Sequence, residues 1–380
     1  MKASKLLSLI AINSLVLGLI LLIVEVAYKG YRVLRPCLLN RQCSLQNLRI
    51  ANPYENPFKT GLSTPDKELG YSVTPNFKDT INTTFGWHNV AVSTDKHGLR
   101  DSGEANNPKL KTRPFILSVG DSFTFGDQVS DQFTWQSCLN RNQSKTTMLN
   151  GGVFGYGTAH ALKRAQVVRE SKPIQGIIIS TTVGSDFVRD QAKFLFGFPR
   201  PSVIKQGENI TQSPPPDPNV AGSKYLTEPG FEALKQTWFE LLQQSIIANK
   251  TNTTNPEISS RYLSSTHPDA APVNEIIEWT VQQSKQLGIP AIWLLQYWDT
   301  ADQSDKVLQE REFLKQTFQA NNIPYIDTYE VLFSKENSHA AQKQKLWKSH
   351  HTPMGNEVVC QVILSAPAFQ KLQSEVLSNS

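Results

Sequence analysis

The feature that most constrains the fold is a continuous apolar run, Phe115-Ile-Leu-Ser-Val119, which stops at Gly120. A run of aliphatic residues without polar alternation is typical of a strand that is buried on both faces of a parallel sheet. A glycine at the carboxyl end of such a strand lets the backbone turn sharply into the next element. Asp121 and Ser122 are therefore predicted to lie at the carboxyl edge of a sheet.

Strand and helix patterns alternate along the rest of the chain. Apolar runs predict further strands at residues 146–149, 176–183, 291–295 and 324–327. Apolar residues at helical spacing predict helices at residues 131–140, 159–171, 231–247, 273–287, 306–320 and 353–365. This alternation favours an α/β fold with three layers, in which helices cover both faces of a parallel sheet. Ligands of such sheets bind at the carboxyl ends of the strands.

The 380 residues divide into four predicted parts. Residues 1–30 are a membrane anchor, and residues 31–110 are a juxtamembrane and irregular β-rich lead-in without a core of its own. Residues 111–372 form the α/β domain, with an insertion around 196–260 whose first part, 196–224, lacks apolar periodicity and is predicted to be a mobile lid. Residues 373–380 are a carboxyl-terminal tail.

The anchor is predicted from residues 6–28, which are almost all Leu, Ile, Val and Ala. Roughly 23 residues at about 1.5 Å each span the roughly 30 Å hydrocarbon core of a bilayer. The segment lacks a small-residue cleavage site, so we expect an uncleaved single-pass helix and a cell-membrane protein. The flanking charges leave the orientation open, because Lys2 and Lys5 precede the helix while Lys29, Arg32 and others follow it.

Charge and cysteine content exclude some classes of function. The net charge of +5 is not concentrated in a basic cluster of the domain, so no nucleic-acid partner is expected. The cysteines form no CxxC pair and no zinc spacing with histidine, so neither a metal nor a cofactor is expected. Cys37 and Cys43 are candidates for a local disulfide in an oxidising compartment, whereas Cys138 and Cys360 are predicted to be buried thiols.

Four short motifs in order resemble those of the SGNH (GDSL-type) hydrolase superfamily. Gly120-Asp121-Ser122 matches the block that holds the nucleophile, and Asn150-Gly-Gly152 through Gly155-Tyr-Gly-Thr158 resembles the glycine block. His350-His-Thr-Pro-Met-Gly355 is similar to the final histidine block, and His97-Gly-Leu-Arg-Asp101 to an element that precedes the domain in membrane-anchored members. The resemblance implies a flavodoxin-like sheet with the nucleophile after its first strand.

The resemblance also implies acyl transfer. Ser122 is the expected nucleophile and His350 the expected base that accepts its proton. The expected oxyanion donors are the amides of Ser122 and Gly152 and the side chain of Ser185 in the third block. His351 is instead expected to pack beside the last helix or to face solvent.

Two of the blocks depart from the family pattern. The third block has Ser185 where the family has an asparagine, and the final block has Trp347 and Lys348 where it has an aspartate. The imidazole of His350 therefore lacks its usual orienting group, for which a backbone carbonyl or a remote acid such as Asp327 is a candidate. Loss of such an orienting carboxylate costs about 10⁴ in rate in the serine proteases.

Other polar residues of these blocks have less specific interpretations. Asp121 and Asp186 are expected to bond amides of their own turns. Arg100 is either an anchor for the segment around it or an exposed surface residue.

Two functions fit these observations. The first is a membrane-anchored serine esterase or O-acyltransferase that acts on an ester such as an acylated glycan, with its domain in the periplasm or outside the cell. The second is a catalytically impaired protein that binds carbohydrate or a protein partner. A dinucleotide-binding Rossmann domain is disfavoured, because the glycine-rich loop at residues 150–158 follows the second strand and not the first.

Overall fold

The computed structural model describes residues 61–81, 89–143, 145–195, 198–216, 263–266, 269–334, 337 and 340–379. The predicted anchor at 6–28, the predicted helix at 231–247, and Cys37 and Cys43 lie outside these residues. None of the helices in the described ranges is long and apolar enough to cross a membrane.

The strands and helices of the described residues are as follows. The strands are β1 (Ser63–Asp66), β2 (Gly70–Val73), β3 (Lys78–Ile81), β4 (Val90–Ser93), β5 (Phe115–Val119), β6 (Thr147–Asn150), β7 (Ile174–Thr182), β8 (Ala192–Leu195), β9 (Phe198–Pro199), β10 (Ser202–Gln206), β11 (Asn209–Ser213), β12 (Leu263–Thr266), β13 (Ala291–Gln296), β14 (Tyr325–Asp327), β15 (Trp347–Lys348) and β16 (His350–His351). The helices are α1 (Ser122–Phe125), α2 (Trp135–Asn142), α3 (Thr158–Ser171), α4 (Asp186–Arg189), α5 (Val273–Lys285), α6 (Asp305–Ala320), α7 (Tyr329–Leu332), α8 (Ala340–Leu346), α9 (Pro353–Ser365) and α10 (Pro367–Ser378).

A five-stranded parallel sheet in the order β6-β5-β7-β13-β14 forms the centre of the fold. In sequence order these strands read 2-1-3-4-5, which is the flavodoxin-like arrangement. The five strands predicted from the apolar runs are the five that form this sheet. The order in which the chain adds strands to the sheet reverses between β5 and β7, so the residues that follow these two strands flank the crevice where ligands bind in such folds.

Helices cover both faces of the sheet, as the alternation predicted. Side chains of a strand alternate between the two faces, and on β5 Ile116 joins the core on one face while Leu117 joins the core on the other. The first core is closed by α2, α9 and α10. The second is closed by α3, α5 and α6, and it also includes buried residues of the lead-in strands β2, β3 and β4.

Cys138 and Cys360 form a disulfide, and our prediction of two buried thiols was wrong. Cys138 lies on α2 and Cys360 on α9, and these helices pack on the same face of the sheet. Each residue sits on the apolar side of its own helix, so the pattern predicted burial correctly. The sequence did not show that the two apolar sides face each other.

Two further predictions need correction. The start of the insertion is not a loop without structure, because β10 and β11 pair as an antiparallel hairpin over residues 202–213. Residues 373–378, which we assigned to the tail, belong to α10, where Leu372 and Val376 are buried against the sheet. The pattern was missed because this helix follows α9 after one residue, with Pro367 at its first position.

Candidate active site

Ser122 is the first residue of α1 and follows β5 by three positions. The turn needs glycine at position 120, since a Cβ there would lie 2.7 Å from the carbonyl oxygen of Ser180. Asp121 caps the helix by accepting a hydrogen bond from the amide of Phe123 at 2.9 Å. The Ser122 hydroxyl is thereby held at the carboxyl end of the sheet, as the sequence predicted.

His350 is presented by a very short antiparallel hairpin formed by β15 and β16. Lys348 pairs with His350 and Trp347 with His351, so that Ser349 alone forms the tip. Helix α9 follows at once, with Thr352 accepting from the amide of Gly355 as its N-cap. The prediction of a Thr-Pro helix start at this point is confirmed.

The structure brings Ser122 and His350 together although they are 228 positions apart. The Nε2 atom of His350 lies 2.8 Å from the Oγ atom of Ser122. The imidazole ring also packs near the rings of Phe123 and Trp298, with centroid distances of 5.1 Å to both. This geometry allows the serine proton to pass directly to the imidazole.

Burial lowers the pKa of His350 to about 3, and the positive charge of Arg189 and the nearby His351 act in the same direction. The imidazole is therefore neutral near pH 7 and able to accept a proton. Burial also lowers the pKa of His351 to about 3. His351 is 2 % exposed and packs against Phe123 and Trp347, which agrees with the packing role expected for it.

The second ring nitrogen of His350 contacts a hydroxyl group and not a carboxylate. Nδ1 lies 3.2 Å from the Oγ atom of Ser349, and the amide nitrogen Nε2 of Gln128 donates to the same oxygen at 2.8 Å. The nearest carboxylate contact that the described residues offer is Asp127 Oδ2, at 4.0 Å from Nε2. Sequence reasoning missed both Gln128 and Ser349.

Asp327 does not orient His350, so that candidate was wrong. Its Oδ1 atom accepts from the Tyr297 hydroxyl at 2.8 Å, and its Oδ2 atom accepts from Arg311 Nε at 2.7 Å. Asp327 ends β14, the edge strand of the sheet, which is separated from β5 by two other strands. The acid therefore belongs to a separate ion pair.

The predicted oxyanion donors are placed as follows. A Cβ at Gly152 would lie 2.2 Å from the amide nitrogen of Phe125, so this position requires glycine for close approach to α1. The Gly152 amide donates to Asn150 Oδ1 at 3.1 Å. The Ser185 hydroxyl donates to the carbonyl oxygen of Thr182 at 3.1 Å. Both groups thus have acceptors within their own loops, and their role as oxyanion donors stays a prediction.

Trp298 is a further residue of the site that the sequence did not indicate. Its Nε1 atom donates to the Oγ atom of Ser185 at 3.5 Å, and its ring packs edge-on against Phe123 at 4.7 Å. It follows β13 by two positions, so it belongs to the same set of strand ends as Ser122 and Ser185. The apolar run of β13 could have pointed to it, because the residues after every strand of a parallel sheet reach this edge.

A buried ion-pair cluster connects the first and third blocks. Arg189 Nη1 donates to Asp121 at 2.8 Å and to Asp186 at 2.7 Å, and both carboxylates are 1 % exposed. The other oxygen of Asp186 accepts from the Thr182 amide at 2.8 Å, so its predicted bond within its own turn is confirmed. Burial and the neighbouring Asp121 raise the pKa of Asp186 well above its usual value, and Arg189 opposes this shift.

Arg100 is an anchor and not an exposed arginine, since it is 1 % exposed. It donates from Nη1 to the carbonyl oxygens of Phe125 and Gly126, and from Nε to Asp131 at 2.8 Å. Its Nη2 atom donates to Val129. The lead-in segment is thereby attached to the loop that follows the nucleophile helix.

Among the described residues, one group of metal-ligand type stands out: Cys138, Glu357 and Cys360. Its two cysteines are joined in the disulfide, so neither sulfur is available as a thiolate ligand. The cluster is therefore not a metal site in this oxidation state.

Comparison with known proteins gives matches among solved structures alone. No protein-family model matches the chain, and no curated protein matches its sequence. A lipolytic protein of the G-D-S-L family from Desulfitobacterium hafniense is 15% identical, with a TM-score of 0.35 over 66% of this chain and 97% of that one. A member of the same family from Veillonella parvula is 12% identical, with a TM-score of 0.36 over 67% and 97%. An acetyl xylan esterase is 11% identical, with a TM-score of 0.37 over 67% and 99%.

The classification therefore depends on features of the chain itself. The sheet has the flavodoxin-like order that the motifs implied, and the Gly-Asp-Ser turn follows its first strand. The histidine of the last block reaches the serine of the first. Strand order, motif order and this contact together show an α/β protein with a flavodoxin-like sheet, whose motifs resemble those of the SGNH hydrolases.

Proposed function

We propose that this chain is a membrane-anchored serine esterase or O-acyltransferase that acts on an ester such as an acylated glycan. The observation that carries the proposal is the 2.8 Å contact between Ser122 Oγ and His350 Nε2. A serine hydroxyl is a weak nucleophile at neutral pH unless a neutral base is positioned to take its proton. His350 is positioned as such a base, because its Nε2 atom faces the hydroxyl. Burial lowers the pKa of His350 to about 3, which keeps the ring neutral at pH 7 but makes it a weaker proton acceptor than an ordinary histidine.

The proposed reaction has two steps, acylation of Ser122 and deacylation. Ser122 Oγ attacks the carbonyl carbon of the ester while its proton moves to His350 Nε2, and the bond to the leaving alcohol breaks as that proton passes to the alcohol oxygen. Water or an acceptor hydroxyl then attacks the carbonyl carbon of the acyl-serine and gives its proton to His350. The bond between that carbon and Ser122 Oγ breaks as the proton returns from His350 to Oγ, which releases the acid or the new ester. The identity of the second acceptor separates an esterase from an acyltransferase.

A location outside the cytoplasm is part of the proposal. Residues 6–28 are long and apolar enough for a membrane helix, and disulfides such as Cys138–Cys360 persist mainly in oxidising compartments. Alkaline carbonate extraction should leave the full-length chain in the membrane fraction and release a variant that lacks residues 1–30. Equal release of both would contradict the anchor.

The test of catalysis uses a fluorophosphonate probe and a panel of esters. The full-length chain in detergent should be labelled at Ser122 and should hydrolyse p-nitrophenyl acetate or deacetylate an acetylated glycan. Ser122→Ala removes the nucleophile, and His350→Gln should lower both rates to near background, because loss of the base histidine costs about 10⁶ in a serine protease. Absence of labelling in the unsubstituted chain, with a folded protein confirmed by thermal unfolding, would contradict the proposal.

The second candidate is a protein that binds a glycan or a partner without turnover. It is favoured by the absence of a carboxylate on His350 Nδ1 within the described residues, and by the internal bonds of the Ser185 hydroxyl and the Gly152 amide. Ser185→Asn and Lys348→Asp distinguish the two functions. A large gain from near-zero activity would indicate a decayed catalyst, whereas no gain would favour a binding role or a rebuilt site.

A further inference from the structure

Two residues beside the proposed site have an unusual backbone conformation. Five non-glycine residues of the described ranges have positive φ, and three of them are asparagines, which tolerate the left-handed region. The other two are Gln128, with φ of 70°, and Ser349, with φ of 67°. Side chains of these types rarely adopt this conformation, and strained backbone concentrates at functional sites.

The two strained residues contact each other. Gln128 Nε2 donates to Ser349 Oγ at 2.8 Å, across 221 positions of sequence. Gln128 belongs to the loop that follows the nucleophile helix, and Ser349 is the tip of the hairpin that carries His350. The contact therefore joins the nucleophile loop to the base hairpin at a second point, next to the Ser122–His350 contact.

Neighbouring contacts fix the loop that carries Gln128. Arg100 donates to the carbonyl oxygen of Gly126 at 2.7 Å and also to that of Val129, which lie on either side of Gln128. Gly126 ends the nucleophile helix with φ of 85°. Because a buried arginine holds both ends of this short stretch, the amide of Gln128 is presented to Ser349 by a rigid backbone.

We propose that Ser349, held by Gln128, is the positioning residue that takes the place of the aspartate in orienting His350. Its Oγ atom accepts a hydrogen bond from Nδ1–H of the imidazole, at 3.2 Å. The proton on Nδ1 leaves the lone pair of Nε2 directed at the hydroxyl of Ser122. This inference rests on the proposed function and deepens it by naming the third member of the catalytic group.

A neutral orienting group has a different effect from a carboxylate. It fixes the tautomer of His350 but gives little stabilisation to the imidazolium that forms during the reaction, whereas an aspartate does both. The other titratable groups that face the ring are Asp127 at 4.0 Å from Nε2, Arg189 and His351. Burial raises the pKa of Asp127 well above its usual value, which disfavours a negative charge beside the ring.

The test uses substitutions that separate strain from hydrogen bonding. Ser349→Gly removes the hydroxyl and suits a positive φ, so the protein should be at least as stable as the unsubstituted chain. Its rate of fluorophosphonate labelling at Ser122 should fall about tenfold, as expected for one lost hydrogen bond to the base. Ser349→Asn also tolerates positive φ and restores an acceptor oxygen, so it should recover most of the rate.

A second readout does not depend on activity. In the full-length chain in detergent, labelled with ¹⁵N-histidine, His350 should carry its proton on Nδ1, and Ser349→Gly should shift the tautomer toward Nε2. An unchanged tautomer and an unchanged labelling rate in Ser349→Gly would overturn the inference. If the unsubstituted chain is not labelled at Ser122 while the tautomer still shifts, the proposed function fails and Ser349 still orients the ring.

Discussion

Ser122 and His350, the proposed nucleophile and base, are held by two different kinds of contact. Around Ser122, charged side chains dominate: Arg189 bridges two buried carboxylates, and Arg100 binds the following loop and Asp131. Around His350 the hydrogen bonds and ring contacts are with neutral side chains such as Ser349, Phe123 and Trp298, and the Asp127 carboxylate lies 4.0 Å from Nε2. A buried charge network is costly to break, whereas neutral contacts can be exchanged at small cost. Substitutions among the charged contacts around Ser122 should therefore destabilise the protein strongly. Substitutions among the neutral contacts around His350 should alter the properties of the imidazole at a small cost in stability.

Removal of Arg189 is expected to have the largest effect on stability. Arg189→Met leaves Asp121 and Asp186 buried without their partner, which should lower the free energy of unfolding by about 3–5 kcal/mol. Thermal or urea unfolding of the variant measures this loss. Arg189→Lys, which keeps the charge, is the matched control and should lose less.

The pH dependence of the Arg189→Met variant has a definite sign. Burial already raises the pKa of Asp186, and loss of Arg189 raises it further. A carboxyl group whose pKa is higher in the folded state than in the unfolded chain stabilises the fold at low pH. That contribution is lost as the pH rises above the pKa of the group in the unfolded chain, which is about 4. The loss of unfolding free energy in the variant should therefore be larger at pH 7 than at pH 4. An equal loss at both pH values would show that the charge of Arg189 does not contribute to stability.

The disulfide is the one covalent support on the base side within the described residues. It connects α2 to α9, the helix that begins three residues after His350. Replacement of Cys138 and Cys360 by alanine should lower the free energy of unfolding by about 2–5 kcal/mol, since the bond closes a very long loop of chain. Unfolding with and without reductant measures this, and the double variant should be insensitive to reductant.

The smallest expected effect is that of pH on the unsubstituted site. The pKa of His350 is lowered to about 3, so the imidazole is neutral throughout the range from pH 5 to 8. The rate of fluorophosphonate labelling should vary by less than about twofold over this range. Ser349→Asp puts a carboxylate beside Nδ1 and should raise the pKa of His350, so its labelling rate should fall toward the acid end of the range. A fall in the unsubstituted chain around pH 6.5 would show that burial does not lower this pKa.

Much of the fold was predictable because its signals are local. The strands of the central sheet are short runs of aliphatic residues, and α3 and α9 start close to where capping residues and periodicity placed them. The glycine requirements at 120 and 152 follow from close backbone approach and were also expected. These features depend on neighbouring residues, which a single sequence displays directly.

The features that were missed are contacts between distant residues. Gln128 and Ser349 gave no signal, because neither residue type suggests positive φ or a partner more than two hundred positions away. The disulfide was missed for the same reason, and helix α10 was hidden by our assignment of its last residues to a tail. Arg100 had two equal interpretations until its burial was known.

The sequence by itself determined which residues lie at the strand ends. It also indicated that Ser122 of the nucleophile block and His350 of the final block belong together. Only the tertiary structure decided which group contacts the second ring nitrogen, Nδ1, of His350. The physical reason is that chain direction and periodicity are encoded residue by residue, whereas the orientation of one imidazole depends on two loops that meet in space at Gln128 and Ser349.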